Sequence, residues 1–235
     1  MTGSPRPTTA EEDYLKAVFA LSEWASAPVT SSDLAAELGV ANSSVTVMVR
    51  KLVQRGWLSH EKYSPILFTP EGYTVALSVV RRHRLLETFL VRQLGYTWEE
   101  VHDEADALEH AVSDLFIERL DALLGRPAAD PHGDRIPRAD GTLENTSAIL
   151  AAVLDDGHPA VLERVSDANP ATLRALSQAG LEPGSRVQVK GSALVSADGG
   201  TARGVTGDVW VRALEHESCS LETIPASDAD SGDPR

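Results

Sequence analysis

One stretch of the sequence gathers two imidazoles and two carboxylates. His102, Asp106, Glu109 and His110 fall within an arc of roughly 100° if the chain is helical, and no lysine or arginine lies among them. A divalent cation would relieve the mutual repulsion of these groups, so the spacing predicts a metal site. The alternative is a solvated acidic helix face with two incidental histidines. A neighbouring apolar stripe indicates that the helix packs against the fold: Val101, Ala105, Leu108, Val112 and Phe116.

Two other positions could add ligands. His83 and Glu87 are four residues apart in a second predicted helix and so lie on one face, as a ligand pair or as an ordinary helix pair. Asp13 begins a small-residue stripe of the first helix. It is either directed into the fold or stabilises the helix start through the helix dipole.

Composition excludes several classes of protein. Cys219 is the only cysteine, which excludes intrachain disulfides, cysteine-based zinc sites and iron–sulfur clusters. No charged-then-apolar leader and no membrane-length apolar run occurs, so we expect a cytoplasmic protein without membrane contact. The net charge is −14, but residues 1–76 contribute only −2 of it, and residues 42–62 hold four basic side chains against Glu61 alone. A local basic surface for nucleic acid is therefore compatible with the acidic total.

The N-terminal region has the pattern of a winged helix-turn-helix. A helix from Thr9 to about Trp24 is followed by a short amphipathic helix, a turn at Gly39 and a second helix capped by Asn42 or Ser43. Ser59 to Thr69 then reads as a hairpin. The outward face of the second helix is rich in small hydroxyl groups, which predicts DNA binding in a major groove; the alternative is a purely structural three-helix unit. The candidate DNA contacts are Ser32, Asn42, Ser43, Ser44, Thr46, Val47, Arg50, Lys51 and Lys62.

The remaining chain predicts helices and then a small β-barrel. A helix from Pro70 to about Leu94 is apolar on more than one side, which indicates burial by its own chain and by a partner subunit. Thr97 caps the histidine-rich helix, predicted to continue to about Leu124. Short β-type runs follow, including 160–165, 186–189, 209–211 and 220–224, with a helix over 171–179 and a suggested short helix over 148–154. The fold class is thus mainly α with small β parts. Its predicted divisions are a winged helix (1–76), a helical dimerisation and metal-binding domain (77–127), a linker (128–147), a barrel domain (148–226) and a disordered tail (227–235).

These residues together resemble the DtxR family of metal-dependent transcriptional repressors over nearly the whole chain. The motifs that carry the resemblance are Arg81-Arg-His83-Arg-Leu-Leu-Glu87, the segment from Val101 to His110, and Asp130-Pro-His-Gly-Asp-Arg-Ile-Pro137. The resemblance implies a C-terminal SH3-like (FeoA-like) barrel, as in three-domain members. It implies a primary metal site of Asp13, Asp106, Glu109 and His110. The implied ancillary site is His83, Glu87 and His102, with Glu163 followed by Ser166 or Asp167 as candidates from the barrel.

The ligand types resemble the manganese-responsive, MntR-type branch. Iron-responsive members carry Met and Cys where this chain has Asp13 and Asp106, and oxygen and imidazole ligands suit Mn²⁺, although Fe²⁺ or another divalent first-row metal would also fit. Two-domain manganese regulators place a second carboxylate at the position of Lys16. Their two-metal arrangement therefore does not carry over, and the third domain is expected to supply what Lys16 does not.

The resemblance implies a homodimeric repressor that binds a palindromic operator in double-stranded DNA when metal is bound and controls metal-ion uptake genes. Without metal, the clustered carboxylates are expected to repel, so that the domains move independently. The alternatives are an iron(II)-dependent repressor of the same family, a metallohydrolase, and a winged-helix regulator of an organic ligand. No nucleophile or phosphate loop favours the enzyme, and an organic ligand would leave the acidic histidine cluster unexplained.

Overall fold

The computed structural model describes residues 6–24, 27–61 and 64–214. The N-terminal part is the predicted winged helix: α1 (Thr9–Glu23), α2 (Ser31–Glu37) and α3 (Asn42–Gln54) precede strands β1 (Leu58–Ser59) and β2 (Leu67–Phe68), which pair antiparallel. Capping boxes fix the starts of α1 and α2, with Thr8 paired to Glu11 and Thr30 to Asp33. Neither predicted cap of α3 holds: Asn42 is its first helical residue, and the N-cap Ala41 makes no side-chain bond.

The helical part contains α4 (Pro70–Leu94), α5 (Val101–Glu109) and α6 (Asp114–Leu123). Helix α4 begins and ends as predicted, with the Thr69 hydroxyl accepting from the Gly72 N–H and with Gly95 at a φ of 74° closing the last turn. The single helix predicted from Thr97 to Leu124 is wrong. The chain leaves the helix after His110, and the Ser113 hydroxyl accepts from the Phe116 N–H and starts α6 in a new direction.

Residues 128–138 are packed, not an open linker as predicted. Asp130, His132, Asp134 and Ile136 are all buried. Gly133 lies against the β4 backbone so closely that a Cβ atom there would be 1.9 Å from the Glu163 carbonyl oxygen. The Val165 N–H donates to the His132 carbonyl at 2.9 Å. The linker prediction is wrong because it relied on the absence of an apolar period, whereas the buried side chains of this segment are mostly polar and have hydrogen-bond or ion-pair partners.

The C-terminal part is a six-stranded antiparallel sheet with strand order β3-β8-β4-β5-β6-β7. Its elements are β3 (Ile149–Leu150), a 3₁₀ turn (Ala151–Val153), β4 (Pro159–Val165), α7 (Pro170–Gln178), β5 (Arg186–Lys190), β6 (Ala193–Ser196), β7 (Thr201–Arg203) and β8 (Val209–Ala213). The suggested helix over 148–154 is instead β3 and the 3₁₀ turn, while β6 and β7 were not predicted. The predicted strand 220–224, the tail 227–235 and Cys219 lie outside the described residues.

A stacked arginine joins the C-terminal sheet to the end of α1. The Arg164 guanidinium carbon lies 4.7 Å from the Trp24 ring centroid and 4.4 Å from that of Trp210. Asp134 accepts from both the Trp24 indole N–H (2.9 Å) and the Arg164 Nε (2.7 Å). The three parts of the chain therefore meet around the polar groups described below. Among the described residues, no helix combines the length and apolarity needed to cross a bilayer.

Candidate metal centre

Nine carboxylate and imidazole side chains form three adjacent clusters at the junction of the three parts. Within each cluster, one ligand atom from each residue lies within 4.8 Å of the others. We call these the α1 cluster (Asp13, Glu109, His110), the middle cluster (His83, His102, Asp106) and the third-domain cluster (Glu87, His132, Asp167).

The α1 cluster joins α1 to the end of α5. His110 Nε2 lies 2.9 Å from Asp13 Oδ1 and 3.4 Å from Glu109 Oε1. Its other ring nitrogen, Nδ1, lies 2.7 Å from Glu12 Oε2, and Glu12 also pairs with Arg82. Burial raises the pKa of Asp13 above its ordinary value. Asp13 therefore faces the fold, and Glu12 is an additional residue that orients the imidazole.

The middle cluster is centred on His83, a buried residue of α4. His83 Nδ1 lies 2.7 Å from Glu109 Oε2 and 3.1 Å from Asp106 Oδ1, while Nε2 lies 3.0 Å from Glu87 Oε1. Burial opposes a charge on His83, but these carboxylates raise its pKa well above the ordinary value. The His83 and His102 rings are in edge contact, with centroids 4.9 Å apart. One imidazole thus links all three clusters.

The third-domain cluster joins α4 to the residues that follow β4. His102 Nδ1 lies 3.2 Å from Asp167 Oδ2 and 3.4 Å from Glu87 Oε1, and these carboxylates raise the pKa of His102 to about 9. His132 Nδ1 lies 3.8 Å from Glu87 Oε2. Burial opposes its charge, but Glu87 above all raises the pKa of His132 to about 10. The His102 imidazole more than offsets burial and lowers the pKa of Asp167 to about 2.

Asp130 lies beside this cluster and holds the turn that presents His132. Its Oδ1 accepts from the backbone N–H groups of His132 (2.9 Å) and Asp134 (3.0 Å). Burial and the carboxylates of Asp134 and Glu87 raise the pKa of Asp130 to about 8. Its other oxygen, Oδ2, lies 3.6 Å from Arg84 Nε, so Asp130 supports the cluster without belonging to it.

Lys16 places an ammonium between the α1 and middle clusters. Its Nζ donates to Asp106 Oδ1 at 2.6 Å and to Glu109 Oε1 at 2.8 Å, and lies 3.4 Å from His83 Nδ1. Burial opposes its charge, but Glu109 and Asp106 raise the pKa of Lys16 above its ordinary value. The carboxylates are therefore not left repelling one another, as the sequence led us to expect. Lysine and histidine side chains compensate them.

The structure brings together all seven ligand candidates from α1, α4 and α5, and it adds Asp167 from the third domain. It does not bring in Glu163, whose oxygens accept from Arg212 Nε (2.6 Å) and Thr146 Oγ1 (2.7 Å). Ser166, whose backbone N–H donates to the Asp208 carbonyl oxygen at 2.8 Å, stays a prediction. His132 was missed, although the motif that contains it had been singled out. Its mixture of Asp, His and Gly was the available signal.

The donor set suits a hard or borderline divalent cation. The three clusters contain five carboxylates and four imidazoles and no sulfur ligand. Such ligands fit Mn²⁺ and other divalent first-row metals, whereas thiolate and thioether ligands select softer ions. The residues present therefore fit a divalent metal centre.

The predicted DNA-binding face of α3 is exposed. Val47 keeps 67% of its surface accessible, while Val45, Val49 and Leu52 are buried beneath it. The other described candidates are also exposed: Ser32, Asn42, Ser43, Ser44, Thr46, Arg50 and Lys51. Lys51 is not free, since its Nζ lies 3.3 Å from Oε1 of the buried Glu11. Lys62 lies outside the described residues.

A third surface is apolar. Leu115, Phe116 and Leu123 of α6 are 56%, 44% and 68% exposed, and Leu94 at the end of α4 is 58% exposed. Exposed large apolar side chains on a helix, such as the three on α6, are typical of a surface that binds another protein chain.

Family models match the parts of the chain that contain most residues of the metal clusters, the exposed face of α3 and the exposed apolar side chains. A family model described as the N-terminal DNA-binding domain of iron-dependent repressors matches residues 8–66. A second, described as the iron-dependent repressor metal-binding and dimerisation domain, matches residues 69–138.

Individual relatives match different lengths of the chain. The iron-dependent repressor IdeR of Mycobacterium leprae is 30% identical over 194 residues, which are 77% of this chain and 84% of that protein. The regulator MntR of Geobacillus thermodenitrificans is 37% identical over 118 residues, 50% of this chain and 82% of that protein. A solved structure of a manganese-dependent transcriptional repressor in complex with manganese has a TM-score of 0.80 and 41% identity. The match covers 87% of this chain and 100% of that chain.

Proposed function

This chain belongs to the iron-dependent repressor, or DtxR, family of metal-dependent transcriptional repressors, and we propose that it is a manganese-dependent repressor of metal-ion uptake genes. The observation that carries this proposal is the set of oxygen and imidazole clusters that tie α1 of the DNA-binding domain to the dimerisation helices. Members of the family are repressors and not enzymes, so the metallohydrolase alternative is set aside.

Manganese is favoured over iron by the ligand types and by the relatives. Asp13 and Asp106 supply oxygen atoms where sulfur would select a softer ion. The solved repressor structure at 41% identity contains manganese. Because Mn²⁺ is the weakest binder of the first-row series, coordination number and geometry must provide the preference.

We assign the metal ligands to the three clusters. Asp13, Glu109 and His110, with Asp106, form the primary site. His83, Glu87 and His102, with Asp167 and His132, form the ancillary site. A bound divalent ion supplies positive charge that several carboxylates share. The protein's own part is to bring those carboxylates from separate elements, since Asp13 lies on α1 and Glu109 and His110 lie at the end of α5.

Metal binding at these side chains orients the DNA-binding domain. Fixing Asp13 against His110 fixes α1, and Glu11 of the same helix lies 2.7 Å from Arg55, the residue that caps the C-terminal end of α3. The position of α3 relative to the dimerisation helices is thereby set. In a homodimer, two such helices reach successive major grooves of a palindromic operator. Because the proposed partner is double-stranded chromosomal DNA, we infer that the protein works in the cytoplasm.

The first experiment is a pull-down of sheared genomic DNA with purified full-length protein and Mn²⁺, anaerobic Fe²⁺ or a chelator. We expect a few promoter fragments, including those of metal uptake genes, to be enriched with Mn²⁺ and not with chelator. Equal enrichment with Fe²⁺ at matched free concentrations would contradict the manganese preference. No metal-dependent enrichment would contradict the proposed repressor function.

An Asp106→Ala variant tests the site in the same assay, with the exposed Asp103→Asn of the same helix as the control. We expect Asp106→Ala to lose Mn²⁺-dependent enrichment and Asp103→Asn to keep it. Retained enrichment by Asp106→Ala would contradict the ligand assignment.

A further inference from the structure

We propose that Lys16 is a tethered cation that competes with the metal ion. Its ammonium neutralises Asp106 and Glu109 in the metal-free protein and must withdraw before both carboxylates can ligate a divalent cation. This inference rests on the proposed function, and it concerns what opposes metal binding rather than what binds the metal.

The position of Lys16 sets it against the ligands. It lies three residues after Asp13 and therefore on the same face of α1. Its Nζ donates to Asp106 Oδ1 at 2.6 Å and to Glu109 Oε1 at 2.8 Å, so it binds one carboxylate of the middle cluster and one of the α1 cluster. The side chain is only 19% exposed. The ammonium thus occupies the point at which these two clusters meet.

Electrostatics make the ammonium and a metal ion mutually exclusive on these oxygens. If Asp106 and Glu109 ligated a divalent cation while still accepting hydrogen bonds from Lys16, two positive centres would lie a few Å apart in a partly buried site. Coulomb repulsion at that distance and in that environment is strong. The ammonium therefore raises the free metal concentration needed to fill the site.

Lys16 also gives the metal-free protein an ordered contact between domains. The ion pairs from α1 to Asp106 and Glu109 join the same two elements that the α1 cluster joins. Metal binding is then an exchange of one cation for another. The lysine stabilises the metal-free form and disfavours the metal-bound form.

The test uses the full-length protein with Lys16→Met, which keeps the length of the side chain and removes its charge. Free Mn²⁺ is counted by its electron paramagnetic resonance signal during a titration, and thermal unfolding is followed in chelator. We expect Lys16→Met to bind Mn²⁺ at least about tenfold more tightly and to unfold at a lower temperature without metal. A residue with only a structural role would lower stability and leave Mn²⁺ affinity unchanged or weaker.

Lys190→Met is the matched control, because it removes the same charge from an exposed position of β5 that belongs neither to the metal clusters nor to the DNA-binding candidates. It should leave Mn²⁺ affinity unchanged. Should Lys16→Met fail to fold, Lys16→Gln gives the same test with a side chain that can still donate a hydrogen bond. Equal or weaker Mn²⁺ binding by the folded neutral variant overturns the role of Lys16. Absence of Mn²⁺ binding by the unaltered protein would instead overturn the proposed function.

Discussion

The α1 cluster and the third-domain cluster use the same chemical groups in different surroundings. In the α1 cluster, Asp13 and His110 keep 40% and 20% of their side-chain surface exposed, and Glu109 is fully buried. In the third-domain cluster, Asp167 keeps 33%, but Glu87 and His132 keep only 2% and 1%. The first joins the DNA-binding domain to the dimerisation helices, and the second joins those helices to the C-terminal sheet. An accessible site can exchange its ion with solvent, whereas buried charges must be compensated continuously for the fold to persist.

The largest effect should come from Glu87→Gln in the third-domain cluster. The change removes the carboxylate that faces the imidazoles of His83, His102 and His132, and the remaining carboxylates around them compensate three buried or half-buried charges incompletely. We expect the free energy of unfolding of the metal-free protein to fall by about 3–5 kcal/mol. Urea titration at fixed protein concentration measures it, with the exposed Glu118→Gln as control. Unchanged stability would mean that the third-domain cluster depends on charge compensation no more than the α1 cluster does.

Asp13→Asn should give the opposite pattern. Asp13 is half-exposed and its carboxylate lies against one imidazole, that of His110, so the metal-free fold should keep its melting temperature. Mn²⁺-dependent operator affinity should fall by about 100-fold, since even residues that merely orient ligands are worth about 10–100-fold in metal affinity. Fluorescence anisotropy with a labelled operator measures the loss. A normal metal response in this variant would remove Asp13 from the site.

pH should affect metal affinity and stability in opposite directions. The pKa values of His102 and His132 are raised to about 9 and about 10, so both are charged near neutrality in the metal-free protein and must lose a proton to ligate. Mn²⁺ affinity should therefore rise from pH 6.5 to 9, by about tenfold per unit for each proton displaced. Calorimetry in buffers of different ionisation enthalpy would detect the released protons.

Over the same range the metal-free protein should lose stability. A raised histidine pKa contributes stability that is complete below the ordinary value of 6.5 and is lost as pH rises through the folded values. Thermal unfolding in chelator between pH 6.5 and 10 would show it. A melting temperature that rises over this range would contradict the charged state of the His102 and His132 imidazoles.

The smallest effect should come from Val47→Ala on α3, remote from both clusters. Mn²⁺ affinity and stability should be unchanged because Val47 is exposed. Operator affinity should fall by about threefold to tenfold through loss of an apolar contact of the kind that thymine methyl groups make. Anisotropy at saturating Mn²⁺ measures the change. An altered metal affinity would show coupling that local contacts do not explain.

The sequence was most informative where local signals decide the structure. Thr69, Pro70 and Gly95 mark the two ends of α4, and the i, i+4 spacing placed His83 and Glu87 on one face. The same kind of spacing placed His102, Asp106, Glu109 and His110 on one face of the next helix. Each of these signals is contained within a few helical turns.

Such local signals do not reveal contacts between residues that are far apart in the sequence. His132 contacts Glu87 only because the 130–137 segment packs against β4, and no periodicity in the sequence indicates that packing. Likewise, the register after β4 decides that Asp167 and not Glu163 reaches His102, and only the packed strand resolves it. Lys16 was recognised as a departure from two-domain relatives, but its pairing with Asp106 and Glu109 depends on how α1 crosses α5.

The contact between Gly133 and the β4 backbone has a consequence for how this protein can change over evolutionary time. With a Cβ there 1.9 Å from the Glu163 carbonyl oxygen, no other residue is tolerated unless the strand moves. Loss of the C-terminal sheet by truncation would uncover the buried polar side chains of the 130–137 segment. A descendant without the third domain would therefore need new partners for the buried polar side chains of this segment, His132 of the metal centre among them.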